Sequence, residues 1–325
     1  MLINKLGDYL ITIALIIIVT QISTSDFTLI NTIYSASSTM DMHYYSSIVF
    51  YTLLFGACAK SAQIGLHLWL ADAMNGPTPV SSLLHAATLV VSGPILLYKI
   101  LLLTNYHVTT LQLIGITSSL LGSLLALAQT DSKAIIAYST MSQFGLIISV
   151  SSIYSIASSQ LHIINHAAFK ACLFMSIGLV IHSLHDAQDY RSYGSMAYIL
   201  PITYASFLAS TASLIALPYL SGNVSKELII ELHSTQYTAI SNFAYIVSLL
   251  ITMLTVLYSI RLLLVTFYTT SNSPRNSSEH AHEATLPALL AITTLSILGI
   301  TLGWLIFSYV VESHDVSNQI TIAEL

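Results

Sequence analysis

A chain of 325 residues that is 55% hydrophobic, only 7% charged and of net charge −5 cannot cover itself with a water-compatible surface. Soluble domains carry roughly 25% charged residues, and a mean hydropathy of +0.78 means that most of the folded exterior must face lipid. No basic patch or polybasic run is present, which excludes nucleic acid as a partner and leaves membrane lipids as the surroundings.

A hydrocarbon core of ~30 Å needs ~20 apolar residues per helix. Nine stretches meet that length, near 6–23, 46–72, 78–103, 109–128, 133–153, 157–184, 197–232, 238–268 and 284–311. The expected fold is therefore all-α, a polytopic transmembrane helix bundle. The first stretch follows NKLGD with no clean cleavage site after it, so it reads as a retained helix rather than a signal peptide. No Arg-rich transit peptide precedes it, which fits an organelle-encoded or bacterial origin. Residues 24–45 and 269–283 read as polar loops. Lysine and arginine are too few to fix the orientation.

Two spans read as broken. In 46–72, Gly65 interrupts a run with Lys60 before it and His67 and Trp69 after it. In 197–232, Pro218, Gly222 and Asn223 fall just before Lys226. Interrupted helices in corresponding positions of two halves mark a transport site, because unwound backbone at membrane depth is tolerated only inside protein or along a cavity. A plain helix end followed by a short interfacial helix is the alternative at each place.

The cations then sort themselves. Lys5, Arg191 and Arg275 belong to ends or loops, and Lys99 and Arg261 lie towards helix ends, where snorkelling accounts for them. Lys60, Lys133, Lys170 and Lys226 sit in or beside apolar runs. A cation at the bilayer centre costs at least ~2.5 kcal/mol, so such residues face the bundle interior and are functional candidates. His162, His166 and Lys170 repeat every fourth residue and form a stripe climbing ~12 Å along one helix face. Their alternative is interhelical hydrogen bonding. A metal reading is weaker, because His-Ile-Ile-Asn-His lacks the Glu of a zincin helix and no third ligand is apparent.

His85 is a lone histidine in an apolar run, which by itself suits a satisfied core residue. His182, His185 and Asp186 close their helix. Glu227 and Glu231 share a helix face and are candidate partners of Lys226, or else simply mark a helix end in water. Asp72, before Asn75-Gly76-Pro77-Thr78-Pro79, suits a turn. Cys58 and Cys172 read as two small buried hydrophobes, with no pattern for a disulfide, zinc or an Fe–S cluster. No dinucleotide fingerprint, P-loop or nucleophile elbow appears, so no redox or hydrolytic centre is expected within the chain.

The segments AKSAQIGLHLWLADAMNGPTPVSSLLHAAT (59–88), LAQTDSKAIIAYSTMSQFG (127–145), LHIINHAAFKACLF (161–174) and SKELI (225–229) together resemble the antiporter-like membrane-arm subunits of respiratory complex I. The resemblance covers roughly residues 1–310. It implies two inverted five-helix repeats, each with one broken helix bearing a lysine. The chain would hold the C-terminal part of the first repeat (1–104), all of the second (105–268), and a polar loop with a further membrane helix and tail (269–325).

Residue by residue, the resemblance implies that Lys60 is the central lysine of the first half-channel and His85 its link to the second. It puts Lys133 in the middle of the second repeat, His162, His166 and Lys170 on the polar chain along the membrane midplane, and Lys226 at the proton exit. The implied order is Lys60, His85, Lys133, then the 162/166/170 stripe, then Lys226. Two departures stand out. Gly65 replaces a usual proline, which implies a softer first break, and Glu227 replaces a usual aspartate and is still expected to pair with Lys226.

Family members run to about twice this length. One of their earlier helices carries a glutamate that partners the first lysine, and a long lateral helix follows their C-terminal part. The chain thus looks like the C-terminal portion of a split subunit, needing other membrane-arm subunits and a chain that supplies the missing helices and carboxylate. The resemblance implies proton translocation driven by quinone reduction elsewhere, with no cofactor bound here; NADH, FMN, Fe–S clusters and ubiquinone belong to other subunits. It implies a mitochondrial inner membrane, or a bacterial plasma membrane. The same lysines also suit a subunit of a cation/proton antiporter or membrane-bound hydrogenase, or a fragment that seals the membrane without conducting.

Overall fold

The computed structural model describes residues 2–24, 26, 29–30, 40–101, 108–152, 156–236, 238–272 and 281–323, with backbone alone at 40–44, 99–101, 108, 156 and 308–323. Arg275, the Lys99 side chain and most of the two expected polar loops lie outside that description. Six helices are continuous, long and apolar enough to cross a membrane. Two further stretches, 40–72 and 78–101, consist of two helices each, and a third, 196–235, of three. Among the described residues there is no strand, only a lone bridge between Asp131 and Asp189.

In chain order the helices are α1 (Leu2–Ile22), α2 (Met40–Lys60), α3 (Leu68–Asp72), α4 (Thr78–Ala86), α5 (Ser92–Leu101), α6 (Val108–Ala128) and α7 (Ser132–Ser151). They continue with α8 (Ile156–Ser183), α9 (Met196–Ile199), α10 (Pro201–Ile215), α11 (Ser221–Thr235), α12 (Ala239–Phe267) and α13 (Leu286–Ala323). Every residue of α7 is buried, including Ser139, Ser142, Gln143 and Ser149. A helix polar on several sides survives at membrane depth only if protein surrounds it, and α7 is the axis around which α6, α8 and α12 pack. α12 shows the opposite pattern. Its Ile246, Met253 and Leu257 are exposed in a row that suits lipid.

Small residues set the closest approach. A Cβ on Gly145 of α7 would lie 2.6 Å from the backbone nitrogen of Ser119 and 2.7 Å from the carbonyl oxygen of Gly115 on α6. Close backbone approach of this kind replaces the hydrophobic drive that lipid does not supply.

The first break is complete rather than soft. Residues 61–67 leave the helix between α2 and α3, with Ala62 at φ 53° and Gly65 at φ 81°. A proline at position 65 could not adopt that left-handed angle. The second break, at 216–220, has Ala216 and Tyr219 both at φ 70°. Gly222, expected within it, belongs instead to the first turn of α11, where a Cβ would collide with the Ser213 carbonyl oxygen.

A third interruption was not foreseen. The stretch expected as one span over 78–103 divides at 87–91 into α4 and α5. Pro94 explains where the second part begins, since it lacks an N–H and is tolerated only in a first helical turn. The interruption leaves His85 in the last turn of α4.

Candidate functional site

α1 lies along α2 through two glycines, with a Cβ on Gly7 only 2.7 Å from that of Ala59. That contact brings Asp8 beside Lys60, the last residue of α2, and the two form an ion pair at 2.5 Å. Lys60 thus meets an aspartate of this polypeptide, whereas the partner expected for it is a glutamate on helices outside this chain. The pair is not sealed, with side-chain exposures of 25% for Lys60 and 56% for Asp8.

His85 is fully buried, and neither ring nitrogen meets a hydrogen-bonding partner among the described residues. Trp69 and Phe174 flank it, with ring centroids 6.2 and 6.0 Å away. Phe174 stands one helical turn after Lys170 on α8, which puts Lys170 next along that helix. Lys170 is also fully buried and donates to Ser139 Oγ at 2.5 Å.

One turn back on α8, both nitrogens of His166 lack a partner among the described residues. Its ring stands 4.9 Å from Phe144, 5.5 Å from Phe169 and 6.3 Å from His162. His162 is held from both sides, by Ser225 Oγ on α11 at 2.8 Å and Gln143 Oε1 on α7 at 3.2 Å. Next to Ser225, the buried Lys226 donates to the carbonyl oxygen of Leu214 in the last turn of α10. The structure thus brings His85, Lys170, His166, His162 and Lys226 into one buried array. Tyr258 of α12 adds a buried hydroxyl that has no hydrogen-bonding partner among the described residues.

Two expected members lie elsewhere. Lys133 stands in the first turn of α7 and donates to the Gly76 carbonyl oxygen at 3.2 Å. It lines a cavity of about 540 Å³ with Asn75, Thr78, His182, Asp186 and Gln188. It is therefore at a helix end, not between His85 and the α8 stripe as the expected order required. Glu227 is exposed and accepts from Asn223 Nδ2 at 3.2 Å rather than from Lys226. Consecutive helical residues point about 100° apart, so Lys226 turns inwards while Glu227 turns out. A cavity of about 590 Å³ is nevertheless lined by Lys226, Glu227, Glu231 and Ser234.

Arg261 also departs from expectation. It does not snorkel. Its guanidinium donates to the carbonyl oxygens of Leu127 (2.6 Å), Ala126 (3.2 Å) and Gln129 (3.2 Å), closing the C-terminus of α6.

Sequence reasoning missed Asp8, His233 and the α7 partners Ser139 and Gln143. Asp8 is a single acid inside an apolar helix, the same signal that singled out the lysines. His233 follows Lys226 by seven residues, two helical turns, and so shares its buried face.

The site and fold define a class: a multi-pass helical membrane protein with a buried row of lysines and histidines beside broken helices. The family model described as NADH:quinone oxidoreductase/Mrp antiporter, transmembrane, matches residues 1–255, and the chain belongs to that family. Within it, NADH-ubiquinone oxidoreductase chain 5 of Aspergillus niger is 39% identical over 312 residues, covering 94% of this chain and 46% of the relative. Chain 5 of Arabidopsis thaliana is 39% identical over 316 residues, covering 94% and 47%. The chain thus spans about half the length of the curated relatives it matches. Among solved structures, a chain of the Mrp complex from Dietzia sp. DQ12-45-1b superimposes with a TM-score of 0.79 at 28% identity, covering 95% of this chain and 34% of that one.

Proposed function

We propose that this chain is a proton-translocating part of the membrane arm of a NADH:ubiquinone oxidoreductase, corresponding to about half of a chain 5 subunit, in the mitochondrial inner membrane. The observation that carries the reading is the buried array from His85 through Lys170, His166 and His162 to Lys226. Buried cations are expensive at membrane depth, and a row of them is retained where charge has to move.

The geometry supports an order that differs from the sequence-based one. Protons would pass Lys60, His85, Lys170, His166, His162 and Lys226, with Lys133 at the mouth of a side cavity. Lysine holds or releases a proton according to the charges around it, and histidine does the same with smaller perturbation. Two unit charges about 10 Å apart at an effective dielectric of about 20 interact by roughly 1.7 kcal/mol. Protonating one member therefore biases its neighbour more than tenfold, which lets a charge disturbance travel along the row. The ring nitrogens of His85 and His166 are buried without partners among the described residues, the situation in which water completes the hydrogen bonding.

Electron transfer would take place in other subunits, and the Asp8–Lys60 pair supports a neighbouring subunit on that face. An ion pair exposed at membrane depth needs protein rather than lipid against it. The chain would contribute part of one antiporter-like repeat over 1–104, a second over 105–268, and a further helix over 269–325.

Purifying the chain with its native neighbours, and resolving water around the array, tests this reading. It predicts redox subunits as companions and ordered water contacting His85 and His166. Companions belonging to a cation/proton antiporter would favour that alternative, and a dry apolar plug around both histidines would overturn conduction.

A further inference from the structure

The buried row ends at Lys226, and the same lysine lines the cavity of about 590 Å³ beside α11. Ile215 and Ala216, where α10 gives way to the second break, line it too. Glu231 and Ser234 continue its wall along α11, and Tyr245 and Thr252 along α12. Ser234 follows Lys226 by about 12 Å along the helix, and α11 ends at Thr235. The cavity therefore runs from the buried ammonium to the last turn of α11. Carboxylates and hydroxyls stand along that length, and a polar, roomy space of this kind holds water.

That last turn lies at a defined end of the bundle. His233, two residues beyond Glu231, stands 3.1 Å from Ser149 Oγ in the last turn of α7. Lys133, in the first turn of α7, lines the cavity at the other end. Between the two, Ser139 and Gln143 of α7 bond Lys170 and His162 of the buried row. The two carboxylates on the wall beside Lys226 differ. Glu227 accepts from Asn223 Nδ2 at 3.2 Å. The Glu231 carboxylate has no hydrogen bond or ion pair among the described residues, and it stands about 7.5 Å further along the helix than Lys226.

From this arrangement we infer that Glu231 is the carboxylate through which Lys226 exchanges its proton with water at the membrane face where α11 ends, a role that rests on the proton-translocating reading above. In the outward direction an Nζ–H bond of Lys226 breaks and the proton passes to a cavity water. That water gives up a proton of its own to a carboxylate oxygen of Glu231. Lys226 is left as a neutral amine, which still has an N–H for the Leu214 carbonyl oxygen, and Glu231 becomes a neutral acid. The acid then releases its proton to the water outside and regains its charge. Lys226 is recharged from the His162 side of the row. Uptake follows the same steps in reverse.

An acid that only ends a helix, or that pairs with a cation of a neighbouring subunit, needs neither titration nor water reaching inwards. Glu231→Gln keeps the shape and removes the titration, whereas Glu231→Asp keeps the titration on a shorter stem. The test measures protons pumped per NADH oxidised in vesicles holding the assembled complex, for both variants and for Lys226→Ala. The expected result is a loss in Glu231→Gln equal to that in Lys226→Ala, largely restored in Glu231→Asp. With Lys226→Ala reduced, a wild-type ratio in Glu231→Gln, or an equal loss in Glu231→Asp, overturns the exchange role and leaves the functional reading standing. A wild-type ratio in Lys226→Ala overturns both. If Glu231→Gln does not assemble, a membrane-impermeant maleimide decides. It is applied to Ser234→Cys and Thr252→Cys and read from the mass of this chain, whose own Cys58 and Cys172 are buried. Labelling of both new thiols from one face and of neither from the other supports the route, and any other pattern overturns it.

Discussion

Lys226 gives its ammonium hydrogen to the carbonyl oxygen of Leu214, in the last turn of the half-helix that stops just short of it. The final carbonyls of a helix have no partner within it and carry its negative end. The break at 216–220 therefore creates the acceptor that a buried ammonium needs, and the same break places Ser225 against His162. Fold irregularity and charge are thus one feature here. Replacing Lys226 by Gln retains a donor for Leu214 and removes the charge. Assembly should persist while proton pumping by this chain is lost, and normal pumping in the assembled variant would count against Lys226 as a carrier.

Gly222→Ala tests the break itself. The added Cβ would collide with the backbone oxygen of Ser213, where no flexible side chain can yield. Overpacking of a tight site costs about 1–3 kcal/mol, and a clash with backbone belongs at or above the upper end. Thermal unfolding of the purified complex should start at lower temperature than in wild type. An unshifted transition would show that α10 and α11 are not held as described.

His85 separates stability from function. Both ring nitrogens are buried without partners among the described residues, in a cage that includes Trp69 and Phe174. Such a group costs roughly 1–3 kcal/mol if water does not satisfy it. His85→Leu should keep or raise thermal stability while proton pumping falls. A destabilised variant that still pumps normally would reverse the assignment and make His85 a packing residue.

Asp8 and Lys60 should behave as a unit. Their pair is partly exposed, so its direct contribution to stability is small, about 0.2–1 kcal/mol, and the expected effect is on transport. In a double-mutant cycle, Asp8→Asn and Lys60→Gln together should lower pumping no further than Lys60→Gln alone. Additive losses would mean that the two side chains act independently.

Arg261→Lys probes the end of α6. A lysine cannot satisfy three carbonyl oxygens spread over Ala126, Leu127 and Gln129 with the fixed fork that arginine supplies. A loss of about 1–3 kcal/mol is expected, read as a lower unfolding temperature of the purified complex. Equal stability would show that the three bonds are dispensable.

Helix content, the breaks near Gly65 and Pro218 and the His162/His166/Lys170 stripe were all legible, because spacing and hydropathy are local properties of the chain. What escaped was decided between helices. Asp8 is a lone acid in an apolar helix, but its partner is fixed only when Gly7 lets α1 close on α2. Lys133 reads like the other buried lysines until the start of α7 places it at a cavity mouth beside Gly76. Glu227 follows Lys226 directly, yet helical geometry separates their directions and Asn223 becomes its partner. The interruption at 87–91 was visible as Gly93-Pro94 inside an apolar run, a signal that hydropathy alone passes over.

The central claim is that charge moves along the buried row through Lys170, which is fully enclosed and tied to Ser139. The most direct measurement is the ratio of protons pumped to electrons transferred in vesicles bearing the assembled complex with Lys170→Ala. The account predicts a lower ratio at a measurable rate of electron transfer. A wild-type ratio in the assembled variant would contradict it.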